Sequence, residues 1–230
     1  FRSVYELISF LNSMGALIKI ENRSKIVVQG VKFLKPSKVN VKPDRIEAAT
    51  FLISGLATRG SISILGSDFY ELDCVKKKLS LSGAKISGGN DYLKIEYCGK
   101  LIAVDIETGS YPNFPTDIQA QYMVLNAIAK GTSVMTENIF ENRFLHVQEL
   151  NRLGADIYTL GKKAFIKGVK NLSGANVLAT DLRASACLVI AGLVADYKTK
   201  VDRVYHIDRG YENIEVKLTA LGAKIFRTNA

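Results

Sequence analysis

Asp117 stands in a Pro-Thr-Asp-Ile-Gln-Ala-Gln run at 115–121. Two further aspartates occupy matching places, Asp44 in Pro-Asp-Arg at 43–45 and Asp181 in Thr-Asp-Leu-Arg at 180–183. Arg45 and Arg183 follow them closely, Asn142 and Arg143 lie downstream of Asp117, and a Tyr-His-Ile-Asp-Arg-Gly-Tyr run at 205–211 carries His206, Asp208 and Arg209. A carboxylate beside converging arginines can take a proton from a hydroxyl while the guanidinium forks hold an anionic co-substrate. That is a group transfer between a hydroxyl compound and a phosphate or a carboxylate, and the residues leave open which. The plainer reading of each aspartate is a helix N-cap, worth about 1 kcal/mol, and of each arginine a surface ion pair. Capping does not account for a loop as polar as 205–211, so Arg183 and Arg209 are expected to contact ligand.

The elements that position these residues repeat. A Gly-Ala pair recurs at Gly15, Gly83, Gly154 and Gly222, with a period of about 70 residues. Each pair ends an amphipathic helix, with Val4, Leu7, Leu11 and Met14 on one face in the first copy and Ile214, Leu218 and Leu221 in the last. The glycine is expected to supply a left-handed C-cap, and a hairpin follows in most copies: 17–20 with 25–29, 85–87 with 92–97, and 156–159 with 164–167. Upstream lies a more apolar helix, predicted at 46–59, 119–130 and 182–195, the second started by Asp117 and stopped by Gly131. Short strands are predicted before these helices, at 38–41, 103–107 and 175–178, and after them, at 61–65, 133–136 and 200–204.

Three such strand–helix–strand–helix–hairpin units fill 35–230, the third without its last hairpin strand, and 1–34 reads as the back end of a fourth. The fold class is α/β, an inside-out, barrel-like lobe of pseudo-threefold repeats. Its apolar helices lie together in the middle with their N-termini at one end, an end that favours anions.

Composition narrows the function classes. A content of 47% hydrophobic and 23% charged residues is that of a globular chain with a real core. No apolar run reaches the ~18 residues a membrane span needs. Cys74, Cys98 and Cys187 are odd in number and far apart, which suits a reducing cytoplasm, and with only His146 and His206 as imidazoles no metal site is expected. The net charge of +9 attracts anions, nucleic acid or a small phosphorylated substrate; the basic residues are spread along the chain without a dense basic stripe, and charge alone leaves the choice open. Nucleic acid drops out as an expected partner only with the resemblance to a known family. The chain begins with Phe1, not Met, with a helix already under way, which suggests a piece of something longer.

Five motifs resemble those of the UDP-N-acetylglucosamine enolpyruvyl transferase family: Pro43-Asp-Arg-Ile-Glu47, Phe114-Pro-Thr-Asp-Ile-Gln-Ala-Gln121, Glu137-Asn-Ile-Phe-Glu-Asn-Arg-Phe144, Ala179-Thr-Asp-Leu-Arg-Ala-Ser185 and Val204-Tyr-His-Ile-Asp-Arg-Gly-Tyr-Glu212. They run in order along essentially the whole chain. The resemblance implies transfer of the enolpyruvyl group of phosphoenolpyruvate to the sugar 3-hydroxyl of UDP-N-acetylglucosamine, without a cofactor. That is the first committed step of peptidoglycan synthesis, on which cell shape and division depend. It makes Asp117 the general base and Arg183 and Arg209 contacts of the anionic co-substrate. Ile139, Phe140 and Arg143 then lie along the sugar cleft, with Asp44, Arg45 and Asp181 as further binding residues.

The family fold has two similar lobes, so 1–34 is expected to be the trailing helix and hairpin of the other lobe and 35–230 a lobe of three repeats. The family's mobile loop, with its cysteine or aspartate proton donor and its arginine, is not among these residues, nor is its Lys-Asn pair. None of Cys74, Cys98 and Cys187 matches that cysteine. The chain is therefore expected to form one wall of a site and to be inactive alone. Rival readings are the shikimate-pathway enolpyruvyl transferase, which shares the fold, an RNA 3′-phosphate cyclase-like nucleic-acid binder, and a non-catalytic binding lobe.

Overall fold

The computed structural model describes residues 2–22, 24–66, 72–89 and 91–228, so Phe1 and Ala230, the outer ends of the two expected domains, lie outside the described residues. The chain divides into two compact units, Phe1–Lys42 and Pro43–Ala230. The first holds helix α1 (Arg2–Ser13) and an antiparallel hairpin of β1 (Leu17–Asn22) and β2 (Lys25–Gln29). No strand forms at 38–41. Instead Lys35 donates its N–H to the Met14 carbonyl (2.7 Å) and the Ser37 and Ser13 hydroxyls pair at 2.8 Å, so the segment after Leu34 is tied back to α1. The division between units accordingly falls after Lys42, beyond the Leu34/Lys35 boundary expected from the sequence.

The second unit repeats one pattern. Its apolar helices are α2 (Arg45–Ala57), α4 (Gln119–Ala127) and α6 (Leu182–Val194), and they pack against one another. Each is buried around most of its circumference, as a helix without a polar face must be. The amphipathic helices α3 (Asp73–Leu81), α5 (His146–Arg152) and α7 (Ile214–Ala220) bury only a stripe, for example Val75 and Leu79 in α3.

Strands β3 (Ser61–Leu65), β4 (Ala84–Gly88) and β5 (Tyr92–Tyr97) form an antiparallel sheet in the order β3-β5-β4. The next copy reproduces it with β7 (Thr132–Thr136), β8 (Asp156–Leu160) and β9 (Lys163–Lys167), and adds β6 (Ile106–Glu107) parallel to β7, giving β6-β7-β9-β8. The last copy retains parallel pairs only: β10 (Leu172–Ser173) with β12 (Ala195–Asp196), and β11 (Asn176–Leu178) with β13 (Lys200–Asp202).

The helix-to-hairpin turn is built the same way each time. Gly15, Gly83, Gly154 and Gly222 take φ of 97°, 100°, 88° and 98°, the left-handed conformation expected of them. Three residues before the glycine a side chain closes the turn in three of the copies. Asn12 bonds both backbone groups of Ile18, Asn151 both of Ile157, and the Thr219 hydroxyl donates to the Ile225 carbonyl.

The helix predicted at 46–59 ends at Ala57 and the strand at 200–204 at Asp202, and two other elements fall shorter still. Helix α4 stops at Ala127 because the following residues leave to pair with 101–103: the Lys130 N–H donates to Leu101 O (2.8 Å), and Lys130 O accepts from Ala103 N–H (3.1 Å). The strand predicted at 103–107 is reduced to Ile106–Glu107, because its first half is held by the Asn126 side chain, which bonds both backbone groups of Val104. At the end of α2 the positive φ (59°) falls on Arg59, not on Gly60.

Candidate active site

Asp44 and Asp181 are the caps the sequence suggested. Asp44 Oδ1 accepts the Ile46 N–H at 2.7 Å, and Asp181 Oδ1 accepts those of Arg183 (2.8 Å) and Ala184 (3.0 Å). Burial alone would raise the Asp181 carboxyl, but these bonds outweigh it and hold the group below the usual carboxylate range. Asp117 is different. A 3₁₀ turn, Thr116–Ile118, precedes α4, Ile118 takes the N-cap position, and no side chain caps the helix. The Asp117 carboxylate is therefore free for other partners, which corrects the expectation that it starts the helix.

Those partners are two arginines from different parts of the chain. Asp117 Oδ1 accepts from Arg143 Nη2 at 3.0 Å and from Arg183 Nε at 2.6 Å, and Arg183 Nη2 is ion-paired to the same oxygen. Asp117 Oδ2 has no hydrogen bond among the described residues. The Asp117 side chain is 35% exposed, so it is half-buried and open to solvent. Arg143, at 15%, is better covered, and its guanidinium lies 4.5 Å from the centre of the exposed Phe140 ring. Burial, and after it the charge of Arg183, lowers the Arg143 pKa, opposed by Asp117 and Glu137. One carboxylate oxygen is thus fixed by two cations while the other is without a hydrogen bond among the described residues, an arrangement able to accept a proton from a docked hydroxyl beside guanidinium groups that can turn to an anion.

The loop bearing Phe140 and Arg143 leaves the end of β7 through Glu137 and turns at Asn142, whose φ is 53°. Ile139 lies in this loop, exposed, and donates its N–H to Glu137. Arg45 opens α2 and is half-buried, and Asp44 beside it is exposed. Arg209 ends the 3₁₀ stretch Val204–Arg209, which packs on α6. A Cβ on the next residue, Gly210, would come 3.0 Å from the Leu182 side chain, so Arg209 sits near the start of α6. It is exposed, without an ion pair among the described residues, and it is not part of the Asp117 cluster. Asp208 instead pairs with Arg227 (2.6 Å).

Sequence reasoning passed over a second network behind this cluster. The buried Tyr211 hydroxyl meets Thr50 Oγ1 at 2.8 Å and accepts from Gln121 Nε2 at 3.2 Å, and Gln121 Nε2 also donates to the Asp117 carbonyl at 3.1 Å. Thr50 is on α2, Gln121 on α4 and Tyr211 in the last copy, so the N-terminal ends of the helices are stitched together by side chains from all three repeats. The available signal was Gln121 inside a largely apolar helix, since a buried amide must find a partner.

Of the three free cysteines, Cys98 is exposed, Cys74 half-buried and Cys187 buried. Burial raises the Cys74 thiol pKa and pushes that of Cys187 well above its usual value. Among the described residues no group of three or more His, Cys, Asp or Glu is placed to hold a metal, and no helix is long and apolar enough to cross a membrane. A surface cavity lined by Arg59, Tyr97, Lys100 and Lys130 lies at the C-terminal ends of α2 and α4, away from Asp117.

Known proteins resemble this chain over nearly its full length. It is 52% identical over 226 residues to the UDP-N-acetylglucosamine 1-carboxyvinyltransferase of Shewanella baltica (strain OS155 / ATCC BAA-1091), covering 98% of this chain and 54% of that protein. The protein of the same name in Shewanella sp. (strain W3-18-1) is 52% identical over 225 residues, with 97% and 54% covered. The chain therefore spans about half the length of these curated relatives. Among solved structures, the enolpyruvyl transferase NikO from Streptomyces tendae superposes with a TM-score of 0.86 at 27% identity, over 99% of this chain and 55% of that one. EPSP synthase from Acinetobacter baumannii shares the fold, with a TM-score of 0.70 at 16% identity over 96% and 54%. The family described as EPSP synthase (3-phosphoshikimate 1-carboxyvinyltransferase) matches residues 2–218, and the chain belongs to it.

Proposed function

We propose that this chain forms one wall of the active site of a cytoplasmic enolpyruvyl transferase that joins phosphoenolpyruvate to UDP-N-acetylglucosamine in peptidoglycan synthesis. The observation that carries the reading is the Asp117 carboxylate, spared from capping, with Oδ1 held by Arg143 and Arg183 and Oδ2 without a hydrogen bond among the described residues. Asp117 takes the proton of the sugar 3-hydroxyl as that oxygen adds to C2 of phosphoenolpyruvate. In the same addition C3 takes a proton from the donor that, on this reading, the partner lobe supplies. Loss of phosphate from C2 and of one proton from C3 then restores the double bond and leaves the enol ether. Arg183 in the first turn of α6 and Arg209 near its start turn to the phosphate and carboxylate of the co-substrate. Ile139, Phe140 and Arg143 border the sugar, and Asp44, Arg45 and Asp181 complete the rim. The 52% identity to relatives named for UDP-N-acetylglucosamine favours this substrate over the shikimate branch, for which the EPSP synthase from Acinetobacter baumannii stands at 16%.

The remaining half of the relatives' length supplies, on this reading, the partner lobe. The exposed Leu7, Val28, Phe33 and Leu34 in the first unit are the kind of apolar surface such a lobe covers. The 230 residues by themselves are then inactive, and near-normal turnover by this chain alone would refute the one-wall reading.

Calorimetric titration with UDP-N-acetylglucosamine, with and without phosphoenolpyruvate, tests the site. Weak sugar-nucleotide binding that Asp117→Ala alters supports it, whereas tight, steeply salt-dependent binding of RNA would point to a nucleic-acid binder.

A further inference from the structure

Glu137 is 3% exposed and takes no part in the chemistry proposed above. Its backbone belongs to the rigid end of the β6-β7-β9 sheet: its N–H donates to Lys162 O at 2.8 Å, and the next residue, Asn138, is held by Thr108, Glu107 and Lys162. Its carboxylate faces two ways. Oε2 accepts from Thr116 Oγ1 at 2.9 Å, and Oε1 accepts the N–H groups of Ile139 (2.9 Å) and Phe140 (3.2 Å). Thr116 precedes Asp117 in the same 3₁₀ turn, and Ile139 and Phe140 open the loop that carries Arg143. One buried side chain thus ties the turn that holds the Asp117 carboxylate to the loop that brings Arg143 to it.

We propose that Glu137 is a positioning residue that sets the Arg143–Asp117 contact. It acts on transfer only through that pair, so its catalytic meaning rests on the function proposed above. The competing role is a local one, in which Glu137 caps the loop start while Arg143 finds Asp117 unaided, guided by its stacking on Phe140.

Nuclear magnetic resonance of the ligand-free 230-residue chain separates the two roles, through amide exchange at Ile139 and Phe140 and the Arg143 guanidinium signals. In Glu137→Ala, loss of bonds to a charged acceptor should speed exchange at both amides about 10- to 100-fold. The Arg143 signals should move to where Asp117→Ala places them. Glu137→Gln should restore both readouts, because its amide oxygen still accepts the two N–H groups and its amide nitrogen can face Thr116. If Glu137→Ala fails to fold in a urea titration, Thr116→Val, which severs only the turn half of the link, should give the same Arg143 displacement. Opened amides with Arg143 signals unchanged would overturn the proposal in favour of simple loop capping, and so would amides that stay protected. No substrate enters this measurement, so it can fail while the transferase reading holds. That reading can in turn fail in the titration with UDP-N-acetylglucosamine while Arg143 still moves.

Discussion

Replacing Tyr211 by Phe removes one oxygen atom and keeps the ring, so no large cavity complicates the outcome. Proton accounting defines what is lost. The Thr50 hydroxyl has one proton, which goes to Ile46 O at 2.9 Å, so in the 2.8 Å contact with Thr50 the donor is Tyr211. The same phenol oxygen accepts from Gln121 Nε2, which keeps Thr50 Oγ1 (3.2 Å) and Asp117 O (3.1 Å) as other partners. Burial, the largest influence, raises the Tyr211 pKa, so the hydroxyl remains a donor at neutral pH. Two buried bonds vanish and one partner is left partly compensated, a cost of about 1–2 kcal/mol.

With a urea slope of about 2–3 kcal/mol/M for a domain of this size, the midpoint should fall by about 0.3–1 M. Circular dichroism through a urea titration reads this directly. An unchanged midpoint would refute the assignment of the hydroxyl as a link between repeats, and a loss near 4 kcal/mol would mean the ring itself had moved. Because Gln121 also holds the Asp117 carbonyl, the variant should in addition raise amide exchange around 117–121.

Asp117→Asn, made in this chain after it is joined to the part of the Shewanella baltica relative that it does not cover, should lower turnover about 10²- to 10⁴-fold with folding intact. A loss under tenfold would remove Asp117 as the base. His146 is buried with Nε2 without a hydrogen-bond partner among the described residues, and burial, chiefly, lowers its pKa from 6.5 to about 4. The unfolded chain then binds more protons between those values, so stability is full above pH 6.5 and falls as pH drops towards 4, by on the order of 3 kcal/mol in all. His146→Leu should flatten that slope in urea titrations at stepped pH, and an equally steep slope would assign it to other groups. At Gly83 an added Cβ would meet Lys100 O at 2.2 Å, whereas at Gly222 it would meet nothing within 4 Å. Gly83→Ala should therefore cost clearly more than the roughly 1 kcal/mol of backbone strain expected for Gly222→Ala, and equal thermal shifts for the two would contradict the close approach.

Much of the architecture is legible in the sequence because its causes are local. The spacing of the Gly-Ala pairs shows a left-handed turn after each amphipathic helix, and the largely apolar character of 184–195 reads as a helix buried around most of its circumference. The strand at 38–41 and the last residues of the helix at 119–130 were misread because backbone partners distant in sequence decided them: Met14 holds the segment after Leu34, and Leu101 captures Lys130.

The candidate site divides in the same way. That Asp44, Asp117 and Asp181 occupy equivalent places follows from the repeat alone. That two of them cap helices while Asp117 is released to two arginines does not, because local sequence makes each an equally good cap. The difference comes from the 3₁₀ turn at Thr116–Ile118 and from Arg143 and Arg183, far from Asp117 in sequence and brought to one oxygen only by helix packing. Composition and periodicity act over a few residues and could determine the elements and their repetition. The convergence of charge on Asp117, and the link through Glu137 and Tyr211 behind it, needed the tertiary structure, because hydrogen bonds are decided by distances that no local pattern encodes.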